Sequence, residues 1–160
     1  MLIDWKKIQR YWRLRLIKLK GSPKSVAIGV ACGAAVSFTP FVGAHLILAM
    51  ILAWCFRGNI AAAALGTAVG NPWTFPFIWF AVLYMGCRIL GIDSSGIEYI
   101  EFSEIFSKSF KALINFDFDL FFSDIWPILH PMIVGCVPFF IIVWIVVYYG
   151  IDVMLSRSEG

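Results

Sequence analysis

Thr39-Pro40-Phe41-Val42-Gly43 and Asn71-Pro72-Trp73-Thr74 cut one long apolar stretch, Ser22 to Leu90, into short pieces. Proline directly after Thr or Asn is a helix-start signal, because the side-chain oxygen caps exposed N–H groups and proline has none of its own to satisfy. The pattern therefore predicts helices that start at Pro40 and Pro72, with Thr39 and Asn71 as their caps. Both starts would lie in strongly apolar surroundings. Within a membrane, a broken hydrogen-bond ladder is tolerated only where protein or a water-lined cavity covers it, so the two breaks mark the candidate interior site.

The rest of the composition agrees with a membrane setting. Of 160 residues, 61% are hydrophobic and only 14% charged, and the mean hydropathy is +0.84. That is too apolar for an ordinary soluble domain. The net charge of +3 hides an uneven spread: Lys6, Lys7, Arg10, Arg13, Arg15, Lys18, Lys20 and Lys24 all precede the first apolar run. The excess of cations places the N-terminus on the cytoplasmic side. Cys32, Cys55, Cys87 and Cys136 lie in apolar runs without C-x-x-C spacing, and read as small buried hydrophobes with no metal role. No cleavable signal is evident after so long a basic segment.

Working outward, residues 2–20 place Trp5, Ile8, Trp12, Leu16 and Leu19 at helical steps among cations, which predicts a basic amphipathic helix on the cytoplasmic headgroups. Anionic lipid is its expected partner, and no base-reading motif points to nucleic acid. Gly21-Ser22-Pro23 then stops that helix and starts the next. Residues 22–57 form a first broken helix pair, with short pieces Val26 to Phe38 and His45 to Phe56 joined by a Pro-Gly turn, and residues 59–90 a second, opening with Ile60 to Val69. Each piece is shorter than the roughly 20 residues a membrane crossing needs, so each pair is either a re-entrant hairpin or two tilted short spans. Gly29 and Gly33 form a G-x-x-x-G pair, and with Gly66 and Gly70 they are the candidate helix-packing positions; ordinary tight packing is preferred there over a specific dimer contact. Arg57 and Arg88 close the two pairs and read as topology anchors that both face the cytoplasm, which favours two re-entrant hairpins. Asn59 reads as a cap, and Pro76 as a kink in the second turn of its helix. The pairs echo one another thirty-two positions apart (72 − 40).

Residues 96–116 open with capping-box spacing and carry Phe102, Ile105, Phe106, Phe110, Leu113 and Ile114 on one face, which predicts an interfacial amphipathic helix. Asp117, Asp119 and Asp124 lack the pattern of a calcium loop. Residues 125–149 are the one unbroken full-length span, with Trp126, Trp144, Tyr148 and Tyr149 as interface anchors and His130-Pro131 and Pro138 bending or delimiting it. The expected fold class is thus an all-α membrane protein: short Pro/Gly-interrupted helix pairs, one full-length C-terminal transmembrane helix, and amphipathic interfacial helices.

The ordered set Ser22-Pro23, Ala27-x-Gly29, Gly33, Pro40-x-x-Gly43-x-His45, Asn59, Gly66-Thr67, Asn71-Pro72-x-Thr74-x-Pro76 and Tyr84-x-Gly86 resembles the bacterial membrane-protein family known as domain of unknown function 2062. The resemblance implies a small polytopic protein of the bacterial inner membrane and brings no established activity with it. Its motif residues coincide with the breaks.

No Ser-His-Asp set, HExxH or GxSxG is present, and no carboxylate lies between Val26 and Leu90, so the chain does not read as an enzyme and no cofactor is expected. Helix N-termini carry roughly half a positive charge and suit phosphate or carboxylate. The leading expectation is a transporter or flippase-like protein for an anionic small molecule or lipid-linked substrate, bound by Thr39, Pro40, Gly43, His45, Asn59, Asn71, Pro72 and Thr74. The alternative is a non-transporting scaffold or assembly partner. Both expect self-association, since so short a chain encloses little by itself.

Overall fold

The computed structural model describes residues 19, 21–41, 43–93 and 121–156; the expected helices over 2–20 and 96–116, with Lys6, Lys7, Arg10 and Arg13, lie outside them. Every regular element among the described residues is helical, and none of them is a strand. In chain order they form α1 (Pro23–Val36), α2 (His45–Cys55), α3 (Ile60–Gly66) followed by a 3-10 turn (Thr67–Val69), α4 (Phe75–Leu90), a π turn (Phe121–Ile125) and α5 (Trp126–Ser156). Among them α5, with the residues leading into it, is the one helix long and apolar enough to cross a membrane.

Local chemistry sets the boundaries of α1 and α3. Ser22 caps α1 by accepting from the Ser25 amide at 3.2 Å, and Pro23 takes the first position, where its missing N–H costs nothing. Asn59 caps α3 in the same way, its Oδ1 accepting from Ala62 N at 2.8 Å. Gly91, left-handed at φ 68°, ends α4.

The two proline-led starts take a different form. Neither α2 nor α4 begins at its proline: α2 starts at His45 with Ala44 in the cap position, and α4 starts at Phe75 with Thr74 there. Gly43 sits at φ 85°, so a helix begun at Pro40 would be broken three residues later. A helix begun at Pro72 would place Pro76 in its second turn, where the ring meets the carbonyl four residues back. Starting at Phe75 instead puts Pro76 in the first turn, with no kink to make. Pro131 and Pro138 lie inside α5 and delimit nothing.

The chain divides into two compact units. The first contains α1, α2, α3, the 3-10 turn and α5 from Phe140 onward. Cys32, Val36, Ala49, Ala53 and Ala63 form one buried cluster with Phe140 and Trp144 packed on it. Val26, Ala62 and Leu155 form a second, flanked by Ile151 and Met154. The sequence order of these contacts makes α1 antiparallel to α2 and to this part of α5. It is parallel to α3, since Gly29 faces Ala62 and Gly33 faces Gly66.

The second unit contains Phe38–Pro40, α4, the π turn and α5 up to Phe139. Ile78, Val82, Leu83 and Cys87 pack on Met132 and Cys136. Phe38 stacks on Phe139 at 5.9 Å between ring centroids.

Both units are built on glycine. A Cβ at Gly29 would overlap the Asn59 carbonyl, one at Gly33 the Ala63 carbonyl, and one at Gly66 the Val30 carbonyl. In the second unit a Cβ at Gly86 would overlap the Pro131 carbonyl, and one at Gly135 the Val82 carbonyl. The helices therefore touch backbone to backbone. Large apolar side chains point the other way: Ile47, Ile51 and Trp54 on α2, Phe77 on α4 and Val146 on α5 are each more than half exposed.

Candidate functional site

The expected site residues are divided between the units. Thr39, Pro40, Pro72 and Thr74 belong to the second, and Gly43, His45, Asn59 and Asn71 to the first. Each therefore has its own local setting.

Thr39 and Pro40 lie in a bend well before the first residue of α2, so Thr39 does not cap it. Asn71 is likewise no N-cap: its Nδ2 donates to the Ala68 carbonyl at 3.4 Å and closes the end of the preceding 3-10 turn. Pro72 belongs to the turn before α4, and Thr74 occupies the cap position without making the side-chain cap bond. Gly43 has open space around its α-carbon and is present for its backbone angle. His45 is half-buried at the first position of α2 with its Nδ1 atom inside. Gly70 ends the 3-10 turn, its N–H bonded to the Thr67 carbonyl at 3.0 Å.

The most highly determined polar arrangement is one the sequence marked only in part, around residues 57–59. Gly58 N donates to the Ala53 carbonyl at 2.7 Å and Arg57 N to the Trp54 carbonyl at 3.1 Å. This pair of bonds is a Schellman ending, with Arg57 in the left-handed position that glycine normally takes, at φ 56°. The adjoining backbone is tied to α1: Ser25 Oγ donates to the Arg57 carbonyl at 3.3 Å, and Asn59 N donates to the Ser25 carbonyl at 2.8 Å. With its oxygen committed to Ala62, Asn59 works here as a cap.

A second buried polar contact joins α1 to the 3-10 turn. Ser37 Oγ lies 3.0 Å from the Gly33 carbonyl and 3.4 Å from that of Thr67. Thr67 Oγ1 donates in turn to the Ala64 carbonyl at 2.7 Å. These hydroxyls satisfy helix-end carbonyls. Arg88 is exposed in the last turn of α4, where a cation favours the helix dipole. Among the described residues no three His, Cys, Asp or Glu side chains converge as a metal site. Cys32, Cys87 and Cys136 are buried, whereas Cys55, expected inside, is exposed near the end of α2.

Comparison with known proteins places these motifs. Residues 6–160 match the family described as "Uncharacterized protein conserved in bacteria (DUF2062)". The chain belongs to that family. Nearly the whole length is covered, so both units and the residues between them are part of DUF2062, and the glycine crossings lie within it. No curated protein and no solved structure matches the chain.

Proposed function

We propose that this DUF2062 protein is a multi-pass protein of the bacterial cytoplasmic membrane, N-terminus inside, serving as a membrane scaffold or assembly partner. One observation carries the reading: its packing is inverted relative to a water-soluble core. In the first unit alanine, glycine and cysteine fill most of the helix contacts, and in both units large apolar groups, Ile47, Ile51, Trp54, Phe77 and Val146, face outward. In water such a surface would be a large exposed apolar patch; in lipid it is the expected exterior. The exposed Phe122, Trp126 and Tyr149 on and before α5 suit the two headgroup layers.

The scaffold role is favoured over carriage by the interior of the first unit. There the α1 and α3 backbones meet at Gly29, Gly33 and Gly66 so closely that an added methyl group would overlap a facing carbonyl, the kind of tight contact through which membrane helices assemble. A second reading, a carrier for an anionic small molecule or a lipid-linked substrate, draws on the dipoles of α2 and α4, whose N-terminal ends favour an anion.

The test uses the full chain in native membranes. Resistance to carbonate extraction supports the membrane reading, and release into the soluble fraction overturns it. Native mass spectrometry from lipid nanodiscs should then show two or more copies or a bound partner protein. A lone monomer, combined with protection of Ala44→Cys from labelling by an anionic solute, would transfer the function to the carrier reading.

A further inference from the structure

We infer that the first unit inserts into one leaflet as a re-entrant module, with the open end of the α1–α2 hairpin and the end of α5 together in the cytoplasmic headgroup layer, and with lipid acyl chains against the outer face of α2. This rests on the membrane reading above and goes beyond it by naming the insertion depth, the side and the occupant.

The first support is where the ends meet. Ser25 Oγ on the Arg57 carbonyl at 3.3 Å and Asn59 N on the Ser25 carbonyl at 2.8 Å join the first turn of α1 to the end of α2. Val26, Ala62 and Leu155 are buried together, so the start of α3 and the end of α5 sit at the same level. The hairpin therefore returns to the side it left, and α5 arrives there.

Length makes the opposite end a tip rather than an exit. With 14 residues in α1 and 11 in α2, the two helices reach about 21 and 17 Å at 1.5 Å per residue. The hydrocarbon of a bilayer is roughly 30 Å thick. A hairpin whose open end is held at one headgroup layer thus stops inside the hydrocarbon.

Charge identifies the layer. Among the described residues of this unit, the charged side chains are Lys24, Arg57 and Asp152, all at the joined end, and the sequence from Val26 to Phe56 contains none. Two exposed cations there, one directly following the basic N-terminal segment, suit the anionic cytoplasmic leaflet.

The occupant follows from the two faces of α2. Ala49 and Ala53 are fully buried against α1, whereas Ile47, Ile51 and Trp54, one stripe at helical spacing, are 57%, 51% and 71% exposed. A stripe of large apolar groups, with a Trp nearest the charged end, has the order of a lipid-facing surface from acyl chain to headgroup.

The experiment is single-cysteine labelling of the full chain with a membrane-impermeant maleimide, on spheroplasts and on inside-out vesicles, in protein that resists carbonate extraction. One variant keeps only the native Cys55, through Cys32→Ala, Cys87→Ala and Cys136→Ala. Others remove all four cysteines and add Ala44→Cys, Leu46→Cys or Ser156→Cys. The inference expects Cys55 and Ser156→Cys to react from the cytoplasmic face alone, and both tip positions to lose reactivity from either face. Two tip probes guard against one misfolded variant. Reaction of both tip positions from the outer face, or reaction of Cys55 and Ser156→Cys from opposite faces, overturns the inference while leaving the membrane reading intact. Disulfide-linked dimers through Trp54→Cys in native membranes would put a second copy, not lipid, on that stripe.

Discussion

The hydroxyl of Ser25 donates to the carbonyl of Arg57 across thirty-two positions (57 − 25), 3.3 Å apart, and fastens the first turn of α1 to the end of α2. The same loop receives a second tie, Asn59 N to the Ser25 carbonyl. Short helices in isolation are marginal because nucleation is costly, so fixing three helix ends at one point does much to hold the first unit together.

Arg57 is left-handed at that point, which disfavours a residue with a Cβ. Arg57→Gly removes that cost and adds freedom to the unfolded chain, for an expected net gain of about 0.5–1 kcal/mol. Arg57→Ala keeps the strain and should leave stability close to that of the parent. Unfolding titrations in mixed micelles measure both. A loss on Arg57→Gly would show that the guanidinium stem, and not the backbone, holds the loop.

Asn59 caps α3 through its side-chain oxygen, and α3 is short enough for one capped amide to matter. Asn59→Ala should cost about 1 kcal/mol, and Asn59→Ser should keep most of it. Because the cap lies where α1, α2 and α3 meet, the same variant should speed amide exchange at Ala62 and Ala63 ahead of positions in α4. Uniform loss of protection across both units would contradict a local role.

Legibility in the sequence followed the range of the interactions. Ser22-Pro23 and Asn59 were readable because a cap acts within one turn, on residues adjacent in sequence. Pro40 and Pro72 signal helix starts capped by Thr39 and Asn71, which the structure replaces with starts at His45 and Phe75. Gly43 with its left-handed backbone, and Pro76 with its need for the first turn, each move the start downstream. The packing role of Gly86 and Gly135 has no local signal, since the Pro131 carbonyl explains the first and the Val82 carbonyl the second, each far away along the chain. The candidate site was harder still. Its residues were grouped by the breaks they flank, yet the fold divides them between units, and Arg57 stood out for its charge when its backbone is the unusual feature.

Pro76 and Pro138 should respond in different ways to the same change. Pro76 is in the first turn of α4, where no intrahelical N–H is needed, so Pro76→Ala should alter stability by less than about 0.5 kcal/mol. Pro138 lies within α5 and denies the Val134 carbonyl its ladder partner. Pro138→Ala restores that bond and should stabilise by an amount up to about 3 kcal/mol, the interior penalty for proline. Equal effects would mean that Pro76 also sits in a helix interior.

Two glycines on α5 separate packing from propensity. Gly135 meets α4 so closely that a methyl group would overlap the Val82 carbonyl and lie 2.5 Å from Gly86 N. Gly135→Ala must push the helices apart, at an expected cost of about 1–3 kcal/mol. Gly150 is helical with nothing within 4 Å of an added methyl, so Gly150→Ala should instead gain up to about 1 kcal/mol of helix propensity. Gly86 belongs to the crossing at Gly135, and once one methyl has separated the backbones a second meets less resistance. Gly86→Ala with Gly135→Ala should therefore cost less than the two single changes added together, whereas Gly150→Ala should add independently to either. Strict additivity of the crossing pair, read from the same unfolding titrations, would mean that the two glycines do not share one contact.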